Sequence, residues 1–423
     1  MSRLIIIGID GVPYKVMDVL AKTGNMPYFK KLKDENIFKK MQSSIPDISS
    51  VAWSSVITGT NPGEHGIFGF TDLVPGTYNI TFPNFTDLNA KPFWHQKPNK
   101  KYVIINVPST FPAQPLNGFL VSGFVSLDLQ DSVYPQEFIK DLEEIGYKID
   151  VDSEKGHSSK EEFIKDLFDT LNKRVEAYRI FWNEFDWDIF MFVITGSDRL
   201  GHFLMDAFDD ENHRHHADFV EYFSKVDEVI GEITNKMHED DSLIMLSDHG
   251  MEVNNFNVYV NAYLKENGFL ILNKNTENIS YNNIAKGSKA FALDPGRIYI
   301  NFEGKFPQGS VKQEDKDKII AELTELFKKM EKDGEKIIKS INKKEEIFSG
   351  PLAEKGPELV LLSNSGFNLR GNIAKDIIYE KDIFAGKHTQ DDAFLFVKTP
   401  KKIEIPENIK VSDVVGIINQ IIK

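Results

Sequence analysis

Three apolar runs in this chain are each followed within a few residues by an aspartate. Leu4-Ile5-Ile6-Ile7-Gly8-Ile9 meets Asp10, Ile189–Ile194 is followed by Asp198, and Leu243–Leu246 by Asp248. A short, unbroken apolar run reads as a strand buried on both faces, as in a parallel sheet covered by helices. Six such runs are present, over 4–9, 102–107, 187–194, 242–246, 358–362 and 393–397. Amphipathic stretches separate them. Lys160–Asn183 places Phe163, Leu167, Leu171, Val175, Tyr178 and Phe181 at helical spacing, and Ala217–Met237 and Gln313–Met330 read the same way. Strand alternating with helix predicts an α/β fold: a doubly wound, mainly parallel sheet with helices on both faces. In such sheets ligands bind beyond the carboxyl ends of the strands, which is where Asp10, Asp198 and Asp248 fall.

The chain is expected to form a single catalytic unit over 1–423. Residues 70–100, rich in Pro, Asn, Phe and Thr, are expected to be a long loop or small β excursion. Residues from about 252 to 385 are expected to be a less regular insert or cap, since Lys-rich and Asn-rich stretches and turn signals such as Asp294-Pro295-Gly296 interrupt them. A length of 423 residues with 41% hydrophobic content is ample for a sizeable core. The net charge of −14 argues against general binding to nucleic-acid backbones or anionic membranes. There is no cysteine, hence no disulfide or thiolate chemistry. With neither a cleavable leader nor a membrane span legible, the expectation is a soluble, cytoplasmic protein.

Two of the aspartates have histidine companions. Asp248-His249-Gly250 follows one run directly, and Asp198 and His202 are four apart, on one face of a helix if a helix starts there. A third histidine, His388, precedes the run 393–397. Each piece alone also reads as an ordinary turn or ion pair. Together they offer carboxylates and imidazoles, the ligand set of zinc and similar divalent ions. The stretch 47–59 reads as a turn, a helix start and a closing glycine. Ser49 or Ser50 there is either a helix N-cap or a nucleophile placed among free backbone N–H groups.

These pieces resemble the alkaline phosphatase superfamily, and within it the type I phosphodiesterase/nucleotide pyrophosphatase family. The resemblance rests on GIDG at 8–11, ISSVAWSSVITGTNPGEHGIFGF at 48–70, SDRLGH at 197–202, SDHGM at 247–251 and GKH at 386–388, in the family's order. It implies two divalent ions, zinc first, with manganese or iron as alternatives. Asp10, Asp248 and His249 would hold the ion nearest the nucleophile, and Asp198, His202 and His388 the second. The register of Ser55-Val56-Ile57-Thr58-Gly59 implies Ser49 as nucleophile, with Ser50 the runner-up. The implied reaction is hydrolysis of a small phosphodiester or pyrophosphate through a phospho-enzyme. Phe70 stands where nucleotide pyrophosphatases carry a phosphate-binding asparagine, so a nucleotide substrate is not implied. Arg199 either reaches substrate or makes an ion pair.

The alternatives are a phosphomonoesterase, a phosphonate-type hydrolase, or a catalytically silent relative whose ions only staple the fold. The Asn-Ser-x-x-Gly-His motif of the mutase branch and the Cys/Ser-x-Pro-x-Arg motif of the sulfatases are absent. The histidine-rich patch His213-Arg214-His215-His216 reads as a solvated loop, and His65 as a structural residue. Oligomeric state is not legible.

Overall fold

The structure, a computed structural model, describes residues 2–273, 278–381 and 383–422. The strands β1 (Leu4–Ile9), β2 (Ile37–Met41), β3 (Tyr102–Val107), β4 (Gly118–Ser122), β5 (Val133–Tyr134), β6 (Ile189–Ile194) and β7 (Ser242–Leu246) share one sheet. β8 (Gly250–Tyr259) leaves it for a second region. That region contains β9 (Ala290–Leu293), β10 (Arg297–Ile300), β11 (Ile338–Lys343), β12 (Leu359–Ser363), β13 (Gly366–Arg370), β14 (Tyr379–Glu380) and β15 (Gly386–Thr389). β16 (Ala393–Lys398) returns to the first sheet, whose order is β2-β16-β7-β1-β6-β3-β4-β5. The pairings β7·β1, β1·β6, β6·β3 and β3·β4 are parallel.

Alternation along β1 explains why its run is apolar throughout. Ile5, Ile7 and Ile9 enter one core, and Leu4 and Ile6 enter another on the opposite face. The long helix α2 (Lys160–Glu184) fills the first core with the six side chains whose spacing predicted it. The Ser159 side chain caps that helix by accepting from the Glu162 N–H. α3 (Gly196–Asp209) and α4 (His216–Lys236) cover the same face. The other face is covered by α1 (Ser49–Thr58), through Trp53, Val56 and Ile57, and by the C-terminal helix Val414–Ile421. Among the described residues no helix is long and apolar enough to cross a membrane.

Two expected strands run differently from the reading above. The run 393–397 lies in the main sheet, but β16 pairs antiparallel with both β7 and β2. The run 358–362 is not in that sheet. It is β12 of an antiparallel four-stranded sheet ordered β9-β10-β12-β11. Its Leu359 and Leu361 join a third core with α5 (Lys316–Lys328), while Val360 packs with Phe68 and Phe348. Burial on both faces makes a run apolar whatever its direction or sheet.

The segment 252–385 is therefore more regular than its composition suggested. Its strands carry Lys and Asn because several are open to solvent on one face, as in β11. Residues 70–100 hold a minimal hairpin, Asp72–Leu73 against Ile80–Thr81, and short helical turns.

Candidate metal centre

The three central strands β7, β1 and β6 are adjacent and parallel, so their carboxyl ends open at one place. Asp10 ends β1, and Asp248-His249 follows β7. Asp198 lies in the first turn of α3, with His202 one helical turn later. Gly11 makes this convergence sterically feasible. It has φ +67°, and a Cβ there would sit 2.7 Å from Asp198 Oδ1. Its N–H donates to Asp248 Oδ1 at 3.1 Å.

His388 arrives by a different route. β8 continues directly from His249, and β15 pairs antiparallel with it, setting His388 opposite Met251. The His249 and His388 rings stack with centroids 3.7 Å apart. His388 Nε2 is 2.9 Å from His202 Nε2 and 3.3 Å from Asp198 Oδ1. His249 Nε2 is 3.3 Å from Asp248 Oδ2, 3.8 Å from Asp10 Oδ1 and 4.0 Å from Asp198 Oδ1. The donor atoms of Asp198, His202 and His388 form one set within 4.8 Å of one another, and those of Asp10, Asp198 and His249 form a second. Asp198 is common to both sets, and Asp248, outside them, joins the group through its 3.3 Å approach to His249, so all six expected ligand residues meet at one site.

Two observations show that this donor set fits divalent ions. First, Asp10 Oδ1, Asp198 Oδ1 and Asp248 Oδ2 are buried without a hydrogen-bond partner. Oxygens so placed cost free energy unless a cation meets them. Second, each imidazole is anchored through Nδ1 to a backbone carbonyl: His202 to Gly386 (3.2 Å), His388 to Asp47 (2.9 Å) and His249 to Gly250 (3.0 Å). A neutral ring that donates from Nδ1 presents a lone pair at Nε2, the usual ligating form. The His202 and His388 lone pairs then face each other at 2.9 Å, a contact that a shared cation turns from repulsive to favourable.

The electrostatics agree. Burial, then the charges of Asp248 and Asp198, raises Asp10 well above the carboxylate range. Burial pushes Asp248 up to about 7. Burial also disfavours ionised Asp198, but His202, His388 and Arg199 outweigh it and hold that carboxyl very low. Burial pushes His388 down to about 4 and lowers His202, so both rings are neutral near pH 7.

Ser49 and Ser50 both lie in the first turn of α1, but neither caps it. Ile48 is the N-cap and gives no side-chain hydrogen bond. Ser49 Oγ instead lies 3.0 Å from His249 Nε2, while the buried Ser50 Oγ has no partner. Trp53, one turn further along α1, donates to Asp10 Oδ2 at 3.2 Å. His65 is fully buried, with Nε2 3.0 Å from Ser55 Oγ and Nδ1 accepting from the Ile67 N–H. It fastens the outer part of α1 to the following loop.

Arg199 makes an ion pair. Its Nη2 is 2.7 Å from Asp150 Oδ2, and its guanidinium lies over the Phe124 ring at 4.1 Å. Phe70 packs edge-on against the same Phe124, with centroids 5.4 Å apart. In the histidine-rich patch His215 is buried and bonded through Nδ1 to Asp218 at 2.8 Å, so the patch is not a simple solvated loop. It ties down the start of α4.

A polar cavity of about 340 Å³ opens beside the centre, lined by Asp47, Ile48, His202 and His388 on one side and by β12–β13 residues such as Ser363, Ser365 and Asn368 on the other. Lys387, buried in its wall, is 2.8 Å from Glu252 Oε1 and donates to Ser363 Oγ at 3.1 Å. No phenylalanine, tyrosine or tryptophan lines this cavity among the described residues. Sequence reasoning did not single out Asp150, Phe124, Glu252, Lys387 or Trp53. The last two sit inside quoted motifs, whereas nothing in the local sequence marks Asp150.

The sequence model of the type I phosphodiesterase/nucleotide pyrophosphatase family matches residues 4–391. No curated protein matches the chain in sequence. Phosphonoacetate hydrolase from Sinorhizobium meliloti 1021, solved with phosphonoformate, superposes with a TM-score of 0.64 at 16% identity, over 99% of this chain and 96% of that one. Murine ectonucleotide pyrophosphatase/phosphodiesterase 5 gives a TM-score of 0.58 at 13% identity, over 100% and 95%. At such identities the likeness establishes a shared alkaline phosphatase-like fold.

Proposed function

Because the chain belongs to the type I phosphodiesterase/nucleotide pyrophosphatase family of phosphoric ester hydrolases, we propose that it cleaves phosphodiester or pyrophosphate bonds of small substrates through a Ser49 phospho-enzyme. On this reading Asp10, Asp248 and His249 hold one divalent ion, and Asp198, His202 and His388 hold a second. Zinc is the first choice, with manganese and iron as alternatives, because the donors are carboxylates and neutral imidazoles. The observation that carries the reading is the 3.0 Å contact between Ser49 Oγ and His249 Nε2. It sets a buried hydroxyl against the same donors that would hold an ion.

When bound, the ions would lower the pKa of a nearby hydroxyl and offset charge developing on phosphoryl oxygens. The chain's own residues do the rest. Ser49 Oγ lies 3.0 Å from His249 Nε2, whose one lone pair would be taken up by the ion when bound, so this ring would fix the ion beside the hydroxyl rather than accept the Ser49 proton. Ser49 is the first residue of α1, where the positive end of the helix dipole favours negative charge on Oγ and on a phosphoryl group. Ser49 Oγ gives up its proton and attacks phosphorus in line, the P–O bond to the leaving alkoxide or phosphate breaks and that group takes up a proton, and water then cleaves the Ser49 O–P bond, restoring the hydroxyl and releasing a monoester or phosphate.

The cavity supports a substrate whose other substituent is compact and polar. Among the described residues it offers Ser, Asn and paired charges but no phenylalanine, tyrosine or tryptophan on which a nucleobase would stack. The segment 252–385 supplies one wall of this cavity and acts, on this reading, as a cap in a single catalytic unit. A cytoplasmic setting belongs to this reading, and a chain without cysteine is compatible with it.

The test is turnover of methyl 4-nitrophenyl phosphate with zinc or manganese, comparing the protein with Ser49→Ala. Equal rates in the two would refute the Ser49 mechanism. A parallel panel of monoester, phosphonoacetate and sulfate ester would separate this reading from a phosphomonoesterase or phosphonate hydrolase. No turnover of any member with any metal would favour the silent relative.

A further inference from the structure

Asp198 has two carboxylate oxygens with different surroundings. Oδ1 is buried, has no hydrogen-bond partner and lies 3.3 Å from His388 Nε2, 3.5 Å from His202 Nε2 and 4.0 Å from His249 Nε2. Oδ2 accepts from Arg199 Nη1 at 3.4 Å. That guanidinium is itself held on the far side, where Nε and Nη2 donate to Asp150 Oδ2 at 3.1 and 2.7 Å. The Phe124 ring closes one face of it at 4.1 Å. The chain of contacts continues inward. Asp150 Oδ1 accepts from Thr195 Oγ1 at 3.4 Å and lies 3.7 Å from Nη2 of Arg174. Arg174, on α2, is only 1% exposed. It donates from Nη1 to Thr195 Oγ1 at 2.6 Å, from Nε to the Lys148 carbonyl and from Nη2 to the Ile149 carbonyl. Thr195 joins β6 to α3, the helix that carries Asp198 and His202.

Four alternating charges, Arg174, Asp150, Arg199 and Asp198, therefore run from a buried anchor to the metal centre. We propose that Arg174, Asp150 and Arg199 form a positioning chain that pins Oδ2 of Asp198 and so aims Oδ1 at the ions. This rests on the reading of Asp198 as a metal ligand. A guanidinium suits the task because its planar fork fixes direction as well as charge, which an ammonium cannot do. A free carboxylate would rotate about its Cβ–Cγ bond and lose that aim. Outer contacts of this kind orient metal ligands in general, and losing one weakens metal binding by about 10- to 100-fold.

Coulomb's law alone predicts the opposite sign. Arg199 is a cation beside a site for dications, so deleting it should tighten metal binding if only charge mattered. The experiment is calorimetric titration of zinc into chelator-stripped, full-length protein, with circular dichroism and urea unfolding of the same samples to confirm the fold. Arg199→Met is expected to bind zinc about 10- to 100-fold more weakly than the wild type. Arg199→Lys, which keeps the charge but loses the fork, is expected to fall between the two. Adding Asp150→Asn to Arg199→Met is expected to cost no further affinity, because Asp150 acts through Arg199. Asp198→Asn tests the underlying metal reading. If Asp198→Asn loses zinc while Arg199→Met binds as tightly as the wild type or more tightly, the chain is overturned and the metal site stands. An additional loss from Asp150→Asn in the Arg199→Met background also overturns it.

Discussion

His65 makes the stability of this protein depend on acid in a way that one substitution can isolate. Its ring is fully buried, and burial pushes its pKa from 6.5 down to about 3. The unfolded chain would bind a proton near pH 6.5, whereas the folded chain resists until about pH 3. A folded pKa below the unfolded one means the stabilisation is complete above pH 6.5 and is lost progressively as pH falls toward 3. At about 1.4 kcal/mol per pH unit the whole interval is worth about 5 kcal/mol, of which about 2 kcal/mol is gone by pH 5. The hydrogen bonds give the reason in atoms. Nδ1 accepts the Ile67 N–H, so protonating it would set two N–H groups against each other. The measurement is urea unfolding between pH 7 and pH 5 of wild type and His65→Gln, both metal-free, so that titration of the metal centre cancels. The wild type is expected to lose about 2 kcal/mol more than the variant over that interval. Parallel pH profiles would refute the assignment of His65 as a buried neutral ring.

Other outcomes follow from the same geometry. Ser49→Ala is expected to lower kcat on an aryl phosphodiester by about a thousandfold or more, and Ser50→Ala by less than about tenfold, as read by nitrophenolate release. Gly11→Ala is expected to cost about 1–2 kcal/mol through its left-handed backbone. It should also weaken zinc binding, because its Cβ would press on Asp198 Oδ1; urea unfolding and calorimetry read the two effects. Zinc at about a hundredfold over its Kd is expected to stabilise the chelator-stripped protein by about 2.7 kcal/mol for each ion held, visible as a higher unfolding midpoint. Phe70→Asn is expected to raise turnover of a nucleotide diester relative to methyl 4-nitrophenyl phosphate, measured as a ratio of kcat/KM.

Strand positions were legible where burial is two-sided. The runs at 4–9, 102–107, 187–194 and 242–246 supply strands of the main sheet because both neighbours and both faces demand apolar residues. Direction was not legible, since a strand buried on both faces presents the same residues whether its partners run parallel or antiparallel. That is why 393–397 was read as parallel and 358–362 was placed in the wrong sheet. The edge strand β2 escaped notice for the opposite reason. Lys39 and Lys40 are exposed on it, as suits a strand that must not pair further.

The metal centre divides along the same line. Asp10, Asp198 and Asp248 were legible because each stands just beyond a run that could be recognised as a central strand. His388 was carried by the family's motif order, since the run after it is an antiparallel strand whose end carries no general expectation of a ligand. Its position depends on the register of β15 on β8, and β8 also pairs with β13 of the second region. The Nδ1 anchor of His388 is the carbonyl of Asp47, two residues before Ser49. One imidazole is thus held between the strand that leads into the 252–385 segment and the turn that presents the proposed nucleophile. A shift of either strand or turn would move a proposed ligand and the hydroxyl together, so the second region is part of what shapes the centre even though His388 alone of the six proposed ligands comes from that side of the chain.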